Sequence, residues 1–109
     1  MSKFMILYRA PASAREQMAN ATPEQLEAGT EAWRTWATKV GYAIVDLGSP
    51  LAHTTHVGPG PAGADGVAGY SILEAGSADE IGTILDGHPH LTIPGASIEV
   101  LEIIPLDAM

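Results

Sequence analysis

The sequence of 109 residues contains no cysteine, which excludes a disulfide framework and thiolate chemistry. It also lacks basic residues beyond Lys39, since all five Lys and Arg precede residue 40. Nucleic acids and anionic membranes bind basic surfaces, so a net charge of −8 argues against both as partners. No apolar run reaches membrane-spanning length and the N-terminus shows no signal-peptide pattern, so we expect a cytoplasmic protein.

Hydrophobic residues make up 46% of the chain, enough for the core of one domain spanning residues 1–109. The stretch VAGYSILEA at 67–75 is apolar on both faces, which is typical of a strand covered on both sides. Composition, turn residues and helix start signals together define the remaining elements. The pattern predicts strands over 3–9, 42–48, 67–75 and 97–104, and helices over 14–19, 23–40 and 78–86.

Three serine or threonine residues precede the predicted helices at N-cap spacing: Ser13, Thr22 and Ser77. Thr22 is followed by Pro23 and by Gln25, which completes a capping box for the long helix. Helical periodicity predicts that this helix buries one stripe with Trp36 at its edge. The stripe consists of Leu26, Thr30, Trp33, Ala37 and Val40.

The order strand, helix, strand, strand, helix, strand predicts an α+β, ferredoxin-like βαββαβ fold with a four-stranded antiparallel sheet. The first and third strands are expected at its centre, with both helices on one face. Because the strands are apolar on both sides, the other face would be an exposed apolar patch. We therefore expect a homodimer that pairs two sheets through their open faces.

Chain direction in this fold places the ends of several segments at one pole of the molecule. The first strand ends there at Arg9, and the Gly- and Pro-rich loop over 48–66 carries His53 and His56 to the same end. The turn after the second main helix brings His88 and His90 there too. The topology therefore predicts a histidine-rich pole.

The chain resembles the YCII-related domain family along nearly its whole length. The stretches that carry the resemblance are KFMILYR, AWRTWATKVGYAIVDLGSPL, GYSILEAGSADEI, DGHPHL and SIEVLEIIPL. The resemblance implies a dimeric α+β barrel of ferredoxin-like subunits with a small-molecule pocket between sheet and helices. It also implies a histidine on the long helix and an aspartate before a proline after the next helix. Here the helix reads Gly29-Thr30-Glu31 and the residue before Pro89 is His88, so that pair is not carried over.

Two residues are candidates for proton-transfer chemistry, His88 as general acid or base and Asp46 as its orienting or basic partner. Each also has a structural interpretation. His88 follows a helix C-terminus and could cap its carbonyls, and Asp46 could pair with Arg9 or accept loop N–H groups. The sequence leaves both interpretations open.

The remaining candidates are ligand-binding residues: Arg9, Trp36, His53, His56 and His90. The histidines are also interpretable as solvated or capping residues, and the tryptophans as core. The histidines form two spaced pairs, but the chain has no cysteine and no acidic residue clustered with them, so no metal site is predicted. No motif predicts a cofactor.

These observations predict a protein that binds a small apolar or aromatic molecule and that could catalyse isomerisation or elimination through His88 and Asp46. The alternative is a non-catalytic ligand-binding or accessory homodimer. A catalytic site requires an imidazole and a carboxylate within hydrogen-bond reach at a cavity, whereas a binding protein requires only the cavity.

Overall fold

The computed structural model of the chain describes residues 1–63 and 66–108. Its strands are β1 (Ser2–Arg9), β2 (Ile44–Pro50), β3 (Val67–Ala75) and β4 (Ser97–Glu102). Its α-helices are α1 (Ala14–Asn20), α2 (Pro23–Lys39) and α3 (Ala78–Leu85). Short 3-10 turns occupy Gly41–Ala43, Pro89–Thr92 and Leu106–Ala108.

The four strands form one antiparallel sheet in the order β2-β3-β1-β4. The predicted ferredoxin-like α+β arrangement, with the first and third strands at the centre, is confirmed. Phe4 pairs with Leu73 and Ile6 pairs with Ser71, so these side chains share the face that α2 and α3 cover. Within the described residues, no helix has the length and apolar character needed to cross a bilayer.

The core lies between this face and the two long helices. It is formed by Phe4, Ile6, Tyr8, Trp36, Val40, Ala43, Leu73, Ala75, Ile81, Ile84 and Leu85. Complete burial of a side chain such as Ile6 or Leu73 stabilises the fold by roughly 1.5–3 kcal/mol. These contacts fix the positions of α2, α3 and the strands between them.

The opposite face of the sheet carries Met5, Leu7, Tyr70, Ile72 and Leu101, and we call it the open face. Met5 pairs with Ile72 on one side and with Leu101 on the other, so these residues are neighbours on one surface. No helix covers this surface in the part of the chain that the structure describes. The predicted exposed apolar face is therefore present in the single chain.

The predicted burial of α2 was wrong in one respect. Trp36 is the fully buried tryptophan of this helix, while Leu26 and Thr30 are exposed. The last two turns of α2 pack on the sheet, whereas the first turns stand away from it and leave a cavity. The stripe therefore points at the core only from Trp33 onward.

Strand boundaries also differ from those predicted. β2 begins at Ile44 because the Ala43 N–H donates to the Val40 carbonyl and closes a 3-10 turn. The strand then continues to Pro50, with register shifts on both sides of Asp46. Ile44 packs toward the core, and Asp46 pairs with Ile72 on the open face.

Candidate functional site

A cavity of about 1000 Å³ lies between the first turns of α2 and the sheet. Its wall is formed by α1, α2, the β2–β3 pair, the end of β1 and the 3-10 turn Pro89–Thr92. Two aromatic rings, Tyr8 and Trp33, form part of this wall. The main chain of Gly69 passes close to Ser49 and Pro50, which brings these strands into the wall as well. The volume lies in the range of small-molecule sites in proteins.

Gly87 and Pro89 determine the position of His88. Gly87 adopts a left-handed conformation (φ +72) that ends α3, and Pro89 begins the following 3-10 turn. His88 is the N-cap of that turn, because its Nδ1 accepts the N–H of His90 at 2.9 Å. The structural role that the sequence offered for His88 was different, a cap on the C-terminus of the preceding helix.

His88 is 1% exposed and packs inside a cluster of aromatic rings. Its ring centroid lies 5.0 Å from Tyr8, 4.5 Å from Trp33 and 4.3 Å from Trp36. Burial, with a smaller contribution from the nearby His90, lowers the pKa of His88 to about 4. The imidazole is therefore neutral at physiological pH.

The hydrogen bond to His90 fixes the tautomer of this neutral ring. Since Nδ1 is an acceptor, the proton resides on Nε2. Nε2 is fully buried and has no hydrogen-bond partner among the described residues. A buried donor without an acceptor costs about 1–3 kcal/mol.

His90 is 5% exposed and forms part of the cavity wall. Its Nε2 donates to the main-chain carbonyl of Arg9 at 2.8 Å, which ties the 3-10 turn to the end of β1. The cavity therefore has an imidazole ring in its wall.

Tyr8 connects the cavity wall to the sheet. Its hydroxyl donates to Ser71 Oγ at 2.8 Å, and Ser71 Oγ donates to the Leu47 carbonyl at 2.6 Å. Burial raises the pKa of Tyr8 to about 12, and the Ser71 hydrogen bond opposes part of that rise. Tyr8 is therefore neutral and fixed in place. Its ring packs edge to face with Trp33 and lies tilted against His88.

The structure does not bring Asp46 to His88. The carboxylate of Asp46 accepts the Gly48 N–H at 2.8 Å and the Tyr70 hydroxyl at 3.4 Å, and Tyr70 belongs to the open face. His88 packs on the helix-covered face, among side chains from β1 and α2. The predicted catalytic pair is thus split between opposite sides of the sheet, because register shifts flank Asp46 in β2.

The predicted binding residues have different environments. Only His90 forms part of the cavity wall, while Trp36 lies in the core and donates from Nε1 to the Ile84 carbonyl at 3.3 Å. The Arg9 guanidinium lies 4.0 Å from Glu99. His53 and His56 are exposed in the loop after β2, where His56 Nε2 contacts the Gly60 carbonyl at 2.6 Å. The four histidines do not form a metal-binding group within the described residues.

Sequence reasoning favoured a core position for Trp33 and did not consider Tyr8 as a wall residue. A signal was present on α2, where Gly29, Trp33 and Ala37 recur every four residues along one face. The small side chains at 29 and 37 leave room beside the indole, and all three residues line the cavity. The sequence instead favoured Trp36 for the site and Trp33 for the core.

Comparison with known proteins finds no protein family whose profile matches the chain, and no curated protein matches it. Among solved structures, the chain is similar to 5-chloro-2-hydroxyhydroquinone dehydrochlorinase from Burkholderia phenoliruptrix AC1100, in complex with 2,5-dihydroxybenzoquinone. The TM-score is 0.47 and the sequence identity 20%, over 91% of each chain. At this level of similarity the match assigns no activity to the chain.

Proposed function

We propose that this protein binds a small, largely apolar molecule in the cavity between α2 and the sheet. The observation that carries the proposal is the cavity itself, about 1000 Å³ with Tyr8 and Trp33 in its wall. Protein sites for small molecules combine an apolar wall with a few convergent polar groups. His90 supplies one such group here.

The charge of the wall bears on the kind of molecule that would fit. The chain has thirteen acidic residues, yet none of them lines the cavity in the part of the chain that the structure describes. Arg34 is a charged side chain of the wall, and it is paired with Glu31 at 3.0 Å. A neutral or anionic molecule therefore suits the cavity better than a cation.

We propose binding rather than proton-transfer catalysis by His88 and Asp46. The two side chains lie on opposite faces of the sheet, and the only lone pair of the His88 ring is used by the His90 N–H. General acid–base catalysis needs both groups within reach of one substrate. This separation favours the non-catalytic alternative.

We also propose that two copies associate through the open face, as in the YCII-related proteins that the sequence resembles. The support is the apolar surface of Met5, Leu7, Tyr70, Ile72 and Leu101, which a second sheet would cover.

Ligand binding is tested by a substitution on α2 that fills the cavity with a large side chain. Gly29 lies in the wall, and a Cβ there meets no atom within 4 Å, so Gly29→Trp places an indole in the open volume. With acetophenone as probe, backbone amide shifts in the NMR spectrum should mark residues of the wall. The variant should lower the affinity at least roughly ten-fold, since the probe and the indole compete for one space.

Gly82→Trp is the matched control. Gly82 is also an exposed helical glycine whose Cβ would meet no atom within 4 Å, but it lies on α3 and away from the wall. The control should bind acetophenone as the wild-type protein does. Equal affinity in both variants, or amide shifts confined to the open face, would refute binding in this cavity.

A further inference from the structure

The buried N–H of His88 is the polar group of the molecule that most lacks an explanation. The ring is 1% exposed, its tautomer is fixed by the His90 N–H, and Nε2 has no partner among the described residues. Buried donors in folded proteins nearly always find an acceptor. A donor kept unpaired beside a cavity is expected to meet its acceptor on a bound molecule.

The His88 ring shares two aromatic neighbours with the cavity. Tyr8 and Trp33 each contact the His88 ring, and each also forms part of the cavity wall. Tyr8 is held by its hydrogen bond to Ser71, whereas no hydrogen bond of the Trp33 indole is found among the described residues. Trp33 is also only half-buried. Of these two rings, Trp33 is therefore the less firmly held.

We propose that His88 Nε2–H is a ligand-binding donor, reached from the cavity when the Trp33 indole moves aside, and that the ligand is a compact apolar molecule bearing a carbonyl or carboxylate oxygen. The assignment rests on the proposed function and adds to it the polar group of the ligand and the residue that recognises it. His88 then serves as a fixed donor and not as a base.

The chemistry of the ring selects the ligand class. A neutral imidazole whose Nδ1 is already an acceptor offers only Nε2–H, so it discriminates for acceptors and against donors. Aromatic faces accept an N–H weakly, so an oxygen that replaces such a contact improves the bond. The absence of acids from the described wall removes competition for this donor and disfavours cationic ligands.

Three probes of similar shape test the assignment: acetophenone, α-methylstyrene and benzoate. Acetophenone has a carbonyl oxygen where α-methylstyrene has a methylene group. Benzoate has a negatively charged carboxylate instead. We expect acetophenone or benzoate to gain roughly ten-fold over α-methylstyrene through the hydrogen bond. That gain should disappear in His88→Asn, whose side-chain oxygen can still accept the His90 N–H but whose shorter side chain has no N–H at the position of Nε2.

A second measurement requires no variant. In wild-type protein labelled with ¹⁵N-histidine, the Hε2 resonance of His88 should move downfield with the oxygen-bearing probes and not with α-methylstyrene. An unchanged Hε2 resonance, or an oxygen preference that survives in His88→Asn, overturns the assignment while leaving ligand binding in place. Failure of all three probes to bind the wild-type protein overturns the proposed function and the assignment together.

Discussion

At the scale of single residues, His88 shows how the fold modifies an ionisable group. Its ring is enclosed by Tyr8, Trp33 and Trp36, and the water that would solvate an imidazolium is excluded. The main chain of His90 then uses the remaining acceptor atom. The result is a neutral residue whose one remaining polar group is the buried Nε2–H.

This environment makes stability depend on pH. The folded pKa of about 4 lies below the ordinary histidine value of 6.5, so the unfolded chain takes up a proton first as pH falls. The contribution of His88 to the free energy of unfolding should therefore be fully present above pH 6.5. About 3 kcal/mol of it should be lost as the pH falls to about 4. Urea unfolding at several pH values measures this loss.

His88→Asn provides the control, because it keeps an acceptor for the His90 N–H and removes the titrating ring. The difference between the two curves of unfolding free energy against pH gives the contribution of His88, because the acidic residues are the same in both proteins. His90 and Tyr8 face the ring and remain in both proteins. Parallel curves for the two proteins would show that His88 does not titrate abnormally.

The sequence could identify His88 as a candidate but not its burial. A histidine that follows a helix-ending glycine and precedes a proline is recognisable in the printed sequence. The enclosing rings, however, come from β1 and α2, far away along the chain. Local pattern carries no information about which side chains of distant elements will converge on one atom.

At the scale of elements, helix starts were the most predictable feature. Ser13, Thr22 and Ser77 each accept the N–H three residues on, and Thr22 with Gln25 forms the complete capping box. These contacts are local, so residue type and spacing determine them. The irregular path of β2 was not predictable, because its register shifts depend on pairing with β3.

Gly48 is the residue that this path of β2 requires. It has φ +82, and a Cβ there would lie 1.7 Å from the Tyr70 carbonyl oxygen. Gly48→Ala should therefore lower the free energy of unfolding by more than about 3 kcal/mol, because backbone strain and a main-chain clash add together. Thermal or urea unfolding gives the value.

Gly58→Ala separates the two contributions. Gly58 also has a left-handed φ of +100, but a Cβ there would meet no atom within 4 Å. It should cost only the strain, about 1 kcal/mol. Similar losses for both variants would mean that β2 relaxes freely and that its path is not fixed by Gly48.

At the scale of the whole molecule, the chain forms a thin, two-layered plate. Its extents are 45 × 42 × 20 Å, and its radius of gyration of 14.9 Å exceeds the roughly 13 Å of a compact domain of this length. One layer is the sheet and the other is the helices. The open face is therefore a broad surface, which is why we propose a second copy as its cover.

Leu101→Lys tests this association. Leu101 is 45% exposed in the single chain, so a charge there should leave the fold intact while opposing contact between two apolar sheets. Light scattering should give twice the chain mass for the wild-type protein and a lower mass for the variant. Tyr42→Lys, at an exposed position outside the sheet, should remain paired. A wild-type protein with the mass of one chain would contradict the proposed homodimer.

The loop after β2 has a practical consequence for protein engineering. Every residue over 53–63 is exposed, and the chain bends at Gly58-Pro59-Gly60. Lengthening a surface loop costs only about 0.6 kcal/mol for each doubling of its length. A peptide tag or a fluorescent reporter inserted at this bend should thus be tolerated.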